Sequence, residues 1–224
     1  PPGGYFIDVS GAGDVNADGL ADLIVGAPYD DGSRADGGRS FVVFGKTDTG
    51  AVDLSAITAG DGGFVINGQC RYDRSGYSVA GAGDVNGDGF ADFIASVRED
   101  QVAKVSYARS YFGRAGASNV TLDATTPYLK IPGLLLTSSS STVRAMIATP
   151  GDYNGDGRTD IALAVTDGVT GNAFPEEGIY LLFGKPTGWT GEIDVVQAAD
   201  AVIAGLGGTV SLSLANVGDI NGDG

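Results

Sequence analysis

The 224-residue sequence predicts an all-β array of four-stranded units. Three observations carry that expectation. A nine-residue loop rich in Asp, Asn and Gly recurs at nearly constant intervals, each complete copy leads into a short apolar run, and 38 glycines punctuate the chain at the density that many tight turns require.

The loop copies are Asp14-Val15-Asn16-Ala17-Asp18-Gly19-Leu20-Ala21-Asp22, Asp84-Val85-Asn86-Gly87-Asp88-Gly89-Phe90-Ala91-Asp92 and Asp152-Tyr153-Asn154-Gly155-Asp156-Gly157-Arg158-Thr159-Asp160. A fourth, Asp219-Ile220-Asn221-Gly222-Asp223-Gly224, ends at the last residue. Their first aspartates lie 70, 68 and 67 residues apart, the period of one supersecondary unit. This divides the chain into repeats at 1–70, 71–138 and 139–206 and the start of a fourth at 207–224, all in one domain.

Oxygens at positions 1, 3, 5 and 9 of such a loop, with the main-chain carbonyl of position 7, can converge on one hard cation if the backbone curls between them. Calcium suits that set, since it takes about six to eight oxygen ligands in irregular geometry. The predicted ligands are Asp14, Asn16, Asp18, Leu20 and Asp22; Asp84, Asn86, Asp88, Phe90 and Asp92; and Asp152, Asn154, Asp156, Arg158 and Asp160. Asp219, Asn221 and Asp223 form the partial fourth set. Glycine at position 6 (Gly19, Gly89, Gly157) admits the positive φ of a curled loop. The three carboxylates of a loop would repel pairwise by roughly 4 kcal/mol at ~4 Å and an effective dielectric near 20, so loop and ion should form together.

An EF-hand or dockerin loop begins in the same way but needs an acidic ligand at position 12, where this chain has Val25, Ala95 and Leu163. The segments after the loops are also short and partly β-branched, as strands are. Turn chemistry alone would explain one copy; it does not explain three in register that all keep the ninth aspartate.

Composition narrows the partners. The formal charge is −15, but eleven of the 28 acidic residues belong to the loops, and three bound calcium ions would bring it to −9. An acidic chain whose 13 basic residues are scattered is not expected to bind nucleic acid or an anionic membrane. No histidine is present, which removes the commonest general base. Cys70 is the only cysteine, expected as a buried or half-buried thiol, and no apolar run is long enough to span a membrane.

Within each repeat the same strands recur. A first strand enters the loop (Tyr5 to Val9, Tyr77 to Ala80, Val143 to Ile147, and Val210 to Leu214 in the fourth repeat), and a second leaves it (Leu23 to Val25, Phe93 to Ala95, Ile161 to Val165). A polar surface segment of varying length follows (28–38, 98–104, 167–178). The third strand ends in Phe-Gly: Phe41 to Gly45, Ser110 to Gly113, Ile179 to Gly184. Val52 and Leu54, Val120 and Leu122, and Ile193 and Val195 then alternate with polar residues, as in a half-buried edge segment. The unit closes at Phe64 to Gly68, Leu129 to Gly133 and Ala201 to Gly205. Four short strands per unit, stacked on like neighbours, describe β-propeller blades, here three complete and part of a fourth.

These residues resemble the FG-GAP repeats of the integrin α-subunit N-terminal propeller. Gly76-Tyr77 sits where that family has Phe-Gly, Gly13-Asp14-Val15-Asn16 and Gly83-Asp84-Val85-Asn86 match its loop entry, and Gly26-Ala27-Pro28 is its name-giving triplet. The later repeats depart there, with Ala95-Ser96-Val97 and Ala164-Val165-Thr166. The resemblance implies structural calcium in the hairpin between the first two strands of a blade, with the opposite loops as the contact surface. Three complete blades do not close a typical propeller, so the chain reads as a segment of a longer protein, the alternative being closure between two copies. Open blade edges would then favour self-association.

The leading function is a calcium-stabilised, non-catalytic extracellular interaction or adhesion module, secreted or at the cell surface, with a protein or glycan partner. One alternative is the propeller of a polysaccharide-active enzyme, with Glu99-Asp100 or Glu176-Glu177 as acids, although adjacent carboxylates rarely flank one sugar bond. Another is a carbohydrate-binding propeller using Tyr29, Phe174 and Trp189.

Overall fold

The structure is a computed structural model. It describes residues 8–31, 35–68, 70–98, 105–111, 120–121, 128–135, 144–166, 178–186 and 192–204. These form three sheets, each built on a four-stranded antiparallel meander, as the all-β reading requires.

The first blade runs β1 (Asp8–Gly13), β2 (Asp22–Ala27), β3 (Arg39–Val43) and, after the short helix α1 (Leu54–Thr58), β4 (Gly63–Asn67). The second runs β5 (Val79–Gly83), β6 (Asp92–Arg98), β7 (Val105–Tyr111), the two-residue β8 (Val120–Thr121) and β9 (Tyr128–Leu135). The third runs β10 (Arg144–Gly151), β11 (Asp160–Thr166), β12 (Gly178–Leu182), β13 (Glu192–Asp194), the helix α2 (Val195–Ala198) and β14 (Ala201–Ala204).

Two strands cross between blades. β8, from the second repeat, pairs in parallel with β4 of the first blade, and β13, from the third repeat, pairs in parallel with β9 of the second. Each of these blades thus gains a fifth, outermost strand from the repeat that follows it. Such a strap covers an outer edge whose N–H and C=O groups would otherwise be open to another chain.

The half-buried edge segments expected around Val52 and Ile193 are therefore corrected in part. The first carries a helix, and the third a three-residue strap followed by a helix. The cause is local: Asp53 stands at the N-cap and its side chain accepts the Ser55 N–H at 2.8 Å, while Asp194 accepts the Gln197 N–H at 3.1 Å. Leu54 and Ile57, three apart, then turn one face of α1 onto the sheet, where Ile57 is buried. The third strands of the first and third blades also stop at Val43 and Leu182, short of the Phe-Gly pair.

Because side chains alternate across a strand, each sheet has two faces. One face of the first blade (Ile24, Val42, Phe64, Ile66) packs against Val79, Phe93 and Ala95 of the second. The other face of the second blade (Ala80, Ala82, Ile94) packs against Ile161, Leu163, Tyr180 and Leu182 of the third. Apolar residues on both faces of the central strands are the consequence of this stacking. The remaining face of the first blade buries Phe41, Val43 and Val65 beneath α1 but leaves Val9 and Leu23 exposed. The inner strands are tied as well, by the Val79 N–H to Asp8 Oδ2 at 2.8 Å and by Thr149 Oγ1–H to the Gly81 carbonyl at 2.8 Å.

Candidate metal loops and the hairpin that holds them

Each loop joins the first two strands of its blade, and at its entrance the ladder register slips, between Gly11 and Gly13, Gly81 and Gly83, and Ala148 and Gly151. The glycine just before the first aspartate takes φ +74 (Gly13), +59 (Gly83) or +88 (Gly151), a conformation that side chains resist. The backbone then curls through positive φ at position 4 (Ala17, Gly87, Gly155) and at position 6 (Gly19, Gly89, Gly157).

The three loops share one hydrogen-bond skeleton. The carboxylate at position 1 accepts the N–H groups of positions 5 and 6: Asp14 from Asp18 and Gly19 at 3.0 and 2.9 Å, Asp84 from Asp88 and Gly89 at 2.9 Å each, Asp152 from Asp156 and Gly157 at 2.9 and 2.7 Å. The Asn Oδ1 at position 3 also accepts the N–H of position 5, at 3.1, 2.8 and 2.9 Å. Its amide group reaches the carboxylate of Asp18, Asp88 or Asp156. The position-5 carboxylate in turn accepts the N–H of Leu20, Phe90 or Arg158. These bonds gather positions 1, 3, 5 and 7 on one turn of chain.

Position 9 plays a part that spacing alone does not reveal. Asp22 is 1% exposed; its Oδ2 accepts the Val15 N–H at 2.8 Å and its Oδ1 the Gly45 N–H at 2.7 Å. Asp160 repeats the arrangement, with the Tyr153 N–H on Oδ2 at 2.8 Å and the Gly184 N–H on Oδ1 at 2.9 Å. Asp92 holds the Val85 N–H at 3.0 Å. In the first and third blades the ninth aspartate therefore ties the loop to the Phe-Gly glycine just past the third strand. Glycine is needed at that point: a Cβ on Gly45 would stand 2.6 Å from Ala21 O and from Leu20 Cβ, and one on Gly184 would stand 2.7 Å from Arg158 Cβ and Thr159 O. Burial pushes the carboxyl of Asp22 above its usual range, with the Gly45 and Val15 N–H groups opposing; Asp160 is raised by burial in the same way.

Among the described residues, no three Asp, Glu, Cys or His side chains converge closely enough to hold an ion by themselves. The donor set nevertheless suits a hard cation, because Asn and main-chain oxygens complete it. A carboxylate oxygen that accepts one N–H also keeps a second lone pair, so the tie to Gly45 or Gly184 and metal ligation are compatible. The fourth set, Asp219, Asn221 and Asp223, lies outside the described residues.

At the other end of the blades, the segment after β2 is held by a buried ion pair. Arg39 Nε and Nη2 meet Asp30 Oδ1 and Oδ2 at 2.6 and 2.8 Å. The Arg74 guanidinium lies 5.5 Å over the ring of half-buried Tyr29, so that face of the proposed sugar platform is occupied. Phe174, Trp189, Glu99-Asp100 and Glu176-Glu177 lie outside the described residues. Cys70 is exposed rather than buried, and its N–H is anchored to Asp73 Oδ2 at 2.5 Å.

The name-giving triplet has a packing role: a Cβ on Gly26 would lie 2.0 Å from the Gly76 carbonyl oxygen of the next repeat. The FG-GAP repeat profile matches residues 6–54 and 75–121, the loop-bearing parts of the first two blades. The chain is 37% identical over 114 residues to integrin alpha-4 of Xenopus laevis. Over 112 residues it is 31% identical to integrin alpha-3 of Cricetulus griseus and 30% identical to integrin alpha-3 of Mus musculus. Each match covers 50% of this chain and 10% of the relative, so the chain spans about a tenth of the length of the proteins it resembles. With its meander sheets, its strapped blade edges and two matched repeats, the chain carries FG-GAP repeats over residues 6–54 and 75–121 and resembles the integrin alpha-subunit β-propeller.

Proposed function

We propose that this module is a calcium-stiffened, non-catalytic interaction or adhesion surface that works outside the cell, its calcium structural and its contacts made with a protein or glycan. The supporting observation is that three hairpin loops at equivalent places carry the same oxygen donors on the same hydrogen-bond skeleton. Asp14, Asn16, Asp18, the Leu20 carbonyl and Asp22 would hold one ion. Asp84, Asn86, Asp88, the Phe90 carbonyl and Asp92 would hold a second. Asp152, Asn154, Asp156, the Arg158 carbonyl and Asp160 would hold a third, with Asp219, Asn221 and Asp223 contributing to a fourth. The ion would neutralise carboxylates that otherwise repel, and each position-9 aspartate would carry that order into its blade.

Stitches between loops give the ions a wider effect. The Ala91 N–H donates to the Asp14 carbonyl at 3.0 Å and the Lys185 N–H to the Val85 carbonyl at 3.0 Å, so stiffening one hairpin restrains the next blade. Extracellular modules commonly bind calcium at about 10⁻⁴–10⁻³ M, within reach of extracellular calcium. Exposed Val9 and Leu23 on the first blade, and Val202 and Ile203 on β14, are where further blades or a second copy would pack.

Thermal melting tests the proposal. Chelator should lower the midpoint by several degrees and millimolar calcium should restore it, since an ion that binds only the folded chain stabilises it by mass action. Identical melting in both conditions would refute the metal role. Recovery of a cell-surface protein or glycan in calcium but not in chelator supports the interaction role, whereas turnover of a polyanionic sugar would overturn the non-catalytic assignment.

A further inference from the structure

The three loops differ at position 7, where the first two carry Leu20 and Phe90 and the third carries Arg158. In all three the position-5 carboxylate accepts the position-7 N–H, at 2.9, 2.9 and 3.0 Å. Among the described residues, only in the third does a side-chain cation meet the same oxygen, with Arg158 Nη1 standing 3.6 Å from Asp156 Oδ1.

The arginine stem is held in place. Its Cβ abuts Gly184, and its Nε, beside Gly87 of the neighbouring loop, is buried with no hydrogen-bond partner among the described residues. The charge is therefore tethered between the second and third loops, and little rotamer freedom remains to be lost by keeping it there.

We propose that Arg158 is a built-in counter-charge that makes the third loop the weakest calcium site of the three. This rests on the calcium reading given above. An ion entering the third loop meets two net negative charges rather than three, and must share Asp156 with a guanidinium or displace it. Ligand charge is a main determinant of affinity in such loops, and at several ångströms in a part-screened site the deficit corresponds to ~5–10-fold weaker binding. The same arginine gives the third hairpin some order without an ion, so it should soften least when calcium is withdrawn.

Calorimetric titration of the decalcified whole chain with calcium tests this, together with Arg158→Leu and Arg158→Gln. The expected wild-type isotherm has a tight class and a class ~5–10-fold weaker. Asp152→Ala should abolish the weak class and leave the tight class intact, which assigns the weakness to the third loop. Arg158→Leu should bring that class to within ~3-fold of the others, and Arg158→Gln, which keeps a polar side chain and loses the charge, should do the same. Equal sites in the wild type, or a weak class unmoved by both Arg158 variants, would overturn the role of Arg158 and leave the calcium reading standing. Absence of any calcium heat in a chain with native β circular dichroism would sink both.

Discussion

Replacing Asp22 with Asn separates what the ninth aspartate does for the fold from what it would do for an ion. Asp22 is 1% exposed and its two oxygens take the Val15 and Gly45 N–H groups at 2.8 and 2.7 Å. Asn has nearly the same shape but keeps one acceptor, so one of the two N–H groups would face an amide NH₂. A hydrogen bond to a charged group is worth about 1.5–3 kcal/mol, and a stranded buried donor costs about 1–3 kcal/mol. Against this, the neutral amide escapes the burial that raises the Asp22 pKa. A net loss of about 2 kcal/mol follows for Asn. At 2–4 °C per kcal/mol for a chain of this size, that lowers the melting midpoint by roughly 4–8 °C.

The measurement belongs in excess chelator, where no ligand role can contribute. Asp18→Asn is the control, because Asp18 is exposed and its bonds stay within the loop. It should leave chelator stability nearly unchanged while weakening calcium binding. Amide exchange at Gly45 and Val15 should accelerate in Asp22→Asn alone. If Asp22→Asn melts within about 1 °C of wild type in chelator, the tie to the Phe-Gly glycine carries no weight and the reasoning fails.

Other substitutions probe the blades. Arg39→Ala removes the bidentate partner of Asp30, whose side chain is 7% exposed, and should cost about 3 kcal/mol in urea unfolding, with earlier proteolysis of the segment after β2. Phe93→Ala, which empties a side chain 1% exposed at the junction of the first two blades, should cost about 3–5 kcal/mol by the same assay. Ala17→Gly should stabilise the metal-free chain slightly: Ala17 sits at φ +57, where a Cβ costs about 1–2 kcal/mol, offset in part by the greater freedom of glycine when unfolded. A lower melting temperature for Ala17→Gly in chelator would contradict that assignment.

Much of the architecture was legible in the sequence because repetition supplies what an isolated segment lacks. Three copies of Asp-x-Asn-x-Asp-Gly in step with apolar runs define hairpins, and apolar residues on both faces of strands such as Ile24-Val25 and Leu181-Leu182 signal sheets stacked on sheets. Asp53 ahead of Leu54 and Ile57 carried the signal for a capped helix, which alternation at Val52 and Leu54 obscured. The tie made by Asp22 was hidden because metal ligation and a main-chain tie would call for the same residue at the same place. The clue was the Phe-Gly glycine recurring in step with the ninth aspartate, 23 residues on at Gly45 and 24 at Gly184.

Local chemistry sets the repeat, the turn positions and the oxygen donors offered to a cation, because these depend on side chains and on backbone torsions within a few residues. Tertiary structure alone decided that β8 and β13 strap the preceding blades, that Asp22 and Asp160 fasten loop to third strand, and that Arg158 stands between two acidic loops. Those outcomes depend on which distant segments meet when the sheets stack, and a two-residue pairing or a single guanidinium leaves no periodic trace in the chain.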